Sequence, residues 1–162
     1  MNYYELYELP SRAVADKTYV SKKYIDLQKK FHPDFFTNEN EADKEHALEQ
    51  SAAINKAYNI FSNKEKTIEY FLQLKGIISP DEKYTLPPDF LMEMMDLNES
   101  IDEKNVTIEN KIAVFEIELY AEIKGFLEVE NDSELNEDAL LKLKAYYYKK
   151  KYLKRILDRI ND

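Results

Sequence analysis

Apolar residues recur at helical spacing along most of the 162-residue chain. A short apolar run over residues 3–9 follows Asn2, a residue suited to an N-cap, and ends at Pro10. Val20, Tyr24, Leu27 and Phe31 then fall at i, i+4, i+7 and i+11, the stripe of one helix face. Asp16 can cap that helix and Pro33 stops it. Polar residues from Thr37 to Asn40 predict a loop. A third helix is expected from Glu41 to Phe61 on the stripe Ala47, Ser51, Ile54, Tyr58 and Phe61. A shorter one covers Glu65 to Lys75, with Gly76 at its C′ position. Ser79-Pro80-Asp81 and Pro87-Pro88 mark residues 77–87 as a linker. Proline suits a first turn, so a helix starts near Pro88 and runs to about Glu103. Another spans Val106 to Glu130 with the stripe Ile108, Ile112, Phe115, Leu119 and Phe126. The last spans Glu134 to Ile160 with the stripe Leu141, Ala145, Tyr148, Tyr152 and Ile156. The pattern predicts an all-α protein in two parts: a helical hairpin with short flanking helices over residues 1–76, and a three-helix bundle over residues 88–162.

Composition agrees with this. Only 2 Gly and 5 Pro leave little of the punctuation that sheets need. The absence of Cys excludes disulfides, thiolate zinc sites and cysteine nucleophiles, and the chain has no thiolate with which to ligate an iron–sulfur cluster. Residues Met1 to Glu8 mix acids with tyrosines and predict no secretory leader. No apolar stretch approaches the length of a membrane span, so a cytoplasmic protein with no membrane contact is expected. The net charge of −9 argues against general nucleic-acid binding. Charge is also uneven, with 11 basic and 12 acidic groups up to Gly76 and 12 and 20 after it, a hint of two units.

The first candidate site is His32-Pro33-Asp34, placed where one helix ends before an antiparallel partner. On the preceding helix, Lys22, Lys23, Lys29 and Lys30 fall opposite the apolar stripe. With Lys17 they make five lysines against Asp16 and Asp26, a local positive face on an acidic protein. For an arbitrary helix such a face would be solvated surface and nothing more. Here the order of short helix, basic helix, His-Pro-Asp loop and antiparallel helix resembles the J-domain.

The resemblance narrows to the HscB family of co-chaperones and spans nearly the whole chain. It is carried by Tyr3 to Pro10 (YYELYELP), Tyr24 to Phe36 (YIDLQKKFHPDFF), Gln50 to Tyr58 (QSAAINKAY), Glu69 to Gly76 (EYFLQLKG) and Phe90 to Met95 (FLMEMM). It implies an N-terminal J-domain and a C-terminal three-helix domain that binds an IscU-type iron–sulfur scaffold. It also implies that His32, Pro33, Asp34 and the basic helix engage an HscA- or DnaK-type ATPase chaperone and stimulate it. No enzymatic step, cofactor or metal is implied for the chain itself.

The second candidate site lies in the helix starting near Pro88. Phe90, Met94, Leu97 and Ile101 form its expected core stripe, while Leu91, Met92 and Met95 lie on a different arc flanked by Asp96, Glu99 and Glu103. Geometry alone leaves two readings: an exposed methionine-rich partner patch rimmed by carboxylates, or a helix buried all round. The resemblance favours the patch, because these six positions match those that contact the scaffold in HscB proteins. One position stays open. The late-helix aromatic that joins the scaffold site in relatives aligns with Ala145, next to Tyr146 and Tyr147.

Two other readings compete. A general J-protein for varied clients would be expected to carry a Gly/Phe-rich linker or a Cys-rich domain, and neither is in the sequence. An enzyme using His32 and Asp34 as an acid–base pair would lack a nucleophile, a phosphate loop and a metal cluster. His46, the other histidine, is expected at the surface, and nothing in its spacing from His32 suggests a metal site.

Overall fold

The computed structural model describes residues 1–36, 39–99 and 105–161, the last stretch as backbone only at 105–107. All regular structure among them is helical: α1 (Tyr3–Leu6), α2 (Lys17–Phe31), α3 (Glu41–Phe61), α4 (Lys64–Leu74), α5 (Pro88–Glu99), α6 (Asn105–Leu127) and α7 (Glu137–Asn161), with 3-10 turns at Pro33–Phe36 and Asp132–Glu134. Thr37 and Asn38 of the expected loop, and Ile101 and Glu103 at the expected end of the fifth helix, lie outside the described residues.

The chain divides into two compact units, Met1–Phe71 with Glu130–Asp132, and Leu72–Val129 with Ser133–Asp162. In the first, local sequence explains the helix ends. Asn2 and Glu5 form a capping box on α1, Asp16 accepts from the Tyr19 N–H, and Asn40 accepts from the Asp43 N–H. The first helix stops at Leu6, earlier than its apolar run, because Glu8 takes a left-handed backbone (φ 54°) ahead of Pro10. Val20 and Leu27 of α2, and Ala47, Ser51, Ile54, Ala57 and Phe61 of α3, are buried. Each large apolar side chain so covered contributes about 1.5–3 kcal/mol. Aromatic contacts tie the flanking helices on. Tyr4 and Tyr7 meet Phe61 at 5.1 and 5.6 Å, and Tyr3 stacks on Tyr70 at 5.1 Å. The buried phenols stay protonated, since burial pushes both well up, and donate to carbonyls: Tyr4 to Arg12 and Tyr7 to Ile54.

The second unit opens with a glycine-dependent turn. Gly76 sits at φ 71°, and the Ile77 N–H reaches back to the Leu72 carbonyl, which closes the end of α4. Residues 77–87 then lie along α7. Lys144 contacts the Ile77 carbonyl and the Glu82 carboxylate, Tyr148 donates to Glu82 at 3.0 Å, and Tyr84 stacks on Tyr148 at 4.4 Å. The α6 and α7 helices run antiparallel, with Glu116 and Lys150 paired at 3.5 Å. The α5 and α7 helices run parallel: Phe90 meets Tyr152, and eight residues on Asn98 meets Arg159.

These contacts correct the stripe expected for the last helix. Leu141 is exposed, and Ala145, Tyr148 and Tyr152 are half-buried. The core residues are Ala139, Leu143, Tyr146, Tyr147, Leu153, Ile156 and Ile160. A helix covered by α6 on one side and by residues 77–87 and α5 on another buries more than one stripe, so a single-stripe reading selects the wrong edge. A milder version holds for α6, where Ile123 and Leu127 are buried beside Ile108, Ile112 and Leu119, while Phe115 and Phe126 are half-buried.

Candidate functional site

The α2 helix ends at His32, whose backbone N–H still bonds to the Gln28 carbonyl at 2.8 Å. Pro33 stops α2 but does not open an irregular loop; it starts a 3-10 turn, closed by the Phe35 N–H on the His32 carbonyl at 3.0 Å. The His32 ring accepts the Asp34 backbone N–H at Nδ1 and stands edge-on to Phe35. Asp34 is exposed. The tripeptide is therefore a short ordered corner with an open carboxylate and a braced imidazole.

Of the basic face, Lys22, Lys29 and Lys30 are exposed. Lys23 is different. Its ammonium pairs with Glu8, which holds the Glu8 carboxyl below its usual range and the lysine above its own. Beside the corner, a groove of about 410 Å³ runs between α2 and α3, lined by Tyr24, Ile25, Gln28, Lys29, His32 and Phe35. Its floor is a hydrogen-bonded set in which Asn55 accepts from Tyr24 and Gln28, and Ser51 donates to Gln28. Ile25 and Phe35 are exposed apolar groups within this otherwise charged surface. Sequence reasoning did not single them out. The signal was an apolar residue one position off the α2 stripe and a second phenylalanine after the tripeptide.

On α5, Phe90, Met94 and Leu97 are buried, while Met92 and Met95 on the opposite arc are 65% and 61% exposed. Asp96 and Glu99 are exposed beside them. Leu91 is half-buried, so the three apolar positions are not equivalent. Glu103 lies outside the described residues. Glu93, also exposed, adds an acid that the sequence reading left out. Tyr146 and Tyr147, the neighbours of Ala145, are buried, and Ala145 itself is half-buried. His46 is exposed with its ring edge toward Phe31. Among the described residues no cluster of three or more His, Asp or Glu could hold a metal ion, and no helix is long and apolar enough to cross a membrane.

A helical hairpin with an exposed His-Pro-Asp corner, followed by a helical C-terminal unit, defines a J-domain protein of the co-chaperone class. Comparisons with known proteins narrow this. Residues 2–70 match the DnaJ domain, and residues 86–161 match the HSCB C-terminal oligomerisation domain. A co-chaperone protein HscB homolog from Vibrio cholerae serotype O1 (strain M66-2) is 32% identical over 170 residues, covering 99% of both chains. Another, from Vibrio vulnificus (strain YJ016), is 38% identical over 104 residues, covering 64% of this chain and 61% of its own. Among solved structures, chaperone HscB from Vibrio cholerae superimposes with a TM-score of 0.66 at 32% identity, covering 99% of each chain. Human co-chaperone protein HscB gives 0.82 at 24% identity over 99% of this chain and 81% of that one, a likeness of fold. The chain belongs to the HscB family of co-chaperones.

Proposed function

We propose that the chain couples an IscU-type iron–sulfur scaffold to an HscA- or DnaK-type ATPase chaperone, without covalent chemistry of its own. The His32-Pro33-Asp34 corner and the basic face of Lys22, Lys23, Lys29 and Lys30 form the ATPase contact, with Ile25 and Phe35 as its apolar part. Leu91, Met92, Met95, Asp96, Glu99 and Glu103 form the scaffold contact. Labour divides between residues 1–76 and 88–162, joined by 77–87, and the compartment is the cytoplasm.

One observation carries this reading: Met92 and Met95 stand out into water on a helix whose other face is packed. Methionine is flexible and polarizable, suits an adaptable contact, and contributes nothing to the core from there. The experiment is a scaffold titration paired with urea unfolding on a Met92→Ala/Met95→Ala variant. Scaffold affinity should fall at least tenfold while the unfolding midpoint stays within error. Unchanged affinity would remove the patch from the scaffold site.

The family description of residues 86–161 as an oligomerisation domain brings a second reading to the same unit, self-association. The apolar outer face of α6 favours it, with Val114, Ile117 and Tyr120 exposed.

A further inference from the structure

Of the 12 basic residues after Gly76, 8 lie on α7, which concentrates positive charge on one helix of an acidic unit. At about 100° per residue, Lys144, Tyr148, Lys151, Arg155 and Arg159 fall within one arc of about 80°. The protein itself takes up the two ends of this stripe. Lys144 is held by Glu82 and the Ile77 carbonyl, and Arg159 donates to Asn98 at 3.3 Å. The middle is left open. Lys151 and Arg155 are exposed, and among the described residues neither pairs with a carboxylate, nearby Asp158 included. Lys151 has only the face of the Tyr147 ring, at 5.6 Å. Both cations border a cavity of about 160 Å³ whose walls are Tyr148 and Tyr152 of α7 and Tyr84 and Leu86 of the segment before α5.

We propose that this cavity binds a phosphate monoester with a small ring as its body. The polar groups around it select an anion. Glu82 also lines the cavity, but its charge is met by Lys144 and by the hydrogen bond from Tyr148. The remaining polar groups can all donate: the Lys151 ammonium, the Arg155 guanidinium, and the Tyr84 and Tyr152 hydroxyls, which have no hydrogen-bond partner among the described residues. Two cations match the charge of about −2 that a monoester carries at pH 7. Its three terminal oxygens can accept from the guanidinium fork, the ammonium and a phenol together, where a carboxylate offers two oxygens and one charge. The carbon body has its own seat. Tyr84 stacks on Tyr148 at 4.4 Å with the rings 6° apart, so that wall is already formed, and Tyr152 and Leu86 complete it. A cavity of this size takes a body of about benzene dimensions. Low-dielectric ring walls also focus the field of the two cations on the bound group. None of the lining residues belongs to the ATPase contact or the scaffold contact, so the site is separate from both.

Titration of the full chain with phenyl phosphate, followed by amide NMR shifts, tests this, with inorganic phosphate and benzoate as the comparison ligands. Phenyl phosphate should shift Tyr84, Leu86, Lys151 and Arg155 saturably, with a Kd of about 1 mM or tighter. Benzoate, which has the ring and a single charge, should bind at least tenfold more weakly, and inorganic phosphate, which lacks the ring, should also bind more weakly. Arg155→Gln and Lys151→Gln should each raise the Kd at least tenfold. Both side chains are exposed and make no ion pair among the described residues, so helical circular dichroism should be unchanged. The absence of saturable shifts at these four residues up to about 10 mM ligand would overturn the proposal. Benzoate or inorganic phosphate binding as tightly as phenyl phosphate would overturn it too, as would wild-type affinity in both folded variants.

Discussion

The Asp34 backbone N–H donates to Nδ1 of His32 at 3.2 Å, which ties the imidazole to the first turn after α2 and leaves the Asp34 side chain free of the core. The bond needs Nδ1 to act as acceptor, so the ring proton of the neutral form sits on Nε2. Neither side chain fills a cavity. His32→Gln and Asp34→Asn should therefore abolish stimulation of the partner ATPase while the thermal melt moves by no more than about 2 °C, since exposed substitutions of this kind change stability by about 0.5 kcal/mol or less. A melt that falls by many degrees would recast the corner as a structural element.

The lysines of α2 should not act alike. Lys29→Glu with Lys30→Glu should slow association with the ATPase and leave folding alone, because both ammonium groups are exposed. Lys23→Glu should weaken folding as well, because it sets two carboxylates together where Glu8 now finds a cation. Stopped-flow association and urea unfolding separate the two effects. The wild-type association rate should also fall with salt, since exposed charges are screened over about 10 Å at 0.1 M.

Glu8 joins strain to charge. Its left-handed backbone suits glycine, and its carboxylate holds Lys23. Glu8→Gly should relax the backbone yet free the lysine. ATPase association should then become faster at low salt and more sensitive to added salt. An unchanged salt slope would mean that Lys23 does not contribute to the contact.

The Glu82 carboxylate is held below its ordinary value, first by the hydrogen bond from Lys144 and then by that from Tyr148. A depressed folded-state value means stability that is present above the unfolded value, near pH 4.5, and is lost as pH falls through the folded one. Glu82→Gln should lower the melting temperature at pH 7 and flatten its decline below about pH 4.5. Parallel acid limbs for the two proteins would contradict the assignment.

Much of this was legible in the sequence, for local reasons. The helices α1 to α4 are set by caps and prolines close in sequence, such as Asn2, Asp16, Asn40 and Pro33, and by apolar stripes along α2 and α3. The α7 core was not legible, because it depends on which segments cover the helix from two directions, and residues 77–87 carry no periodic signal of their own. The pairing of Lys23 with Glu8 was hidden for the same reason: it spans a turn made by an unusual backbone at Glu8. Met92 and Met95 could be set apart from Phe90 and Met94 by angle alone, but only packing shows that Leu91 is half covered.

The central claim, that one chain joins an ATPase contact to a scaffold contact, is tested most directly by turnover of an HscA-type chaperone with this protein and scaffold added separately and together. The wild type should accelerate hydrolysis alone and further when scaffold is present. His32→Gln should abolish both increments, and Met92→Ala/Met95→Ala should keep the first and lose the second. A His32→Gln protein that still accelerates turnover, or a methionine variant that keeps the full scaffold-dependent increment, would contradict the account.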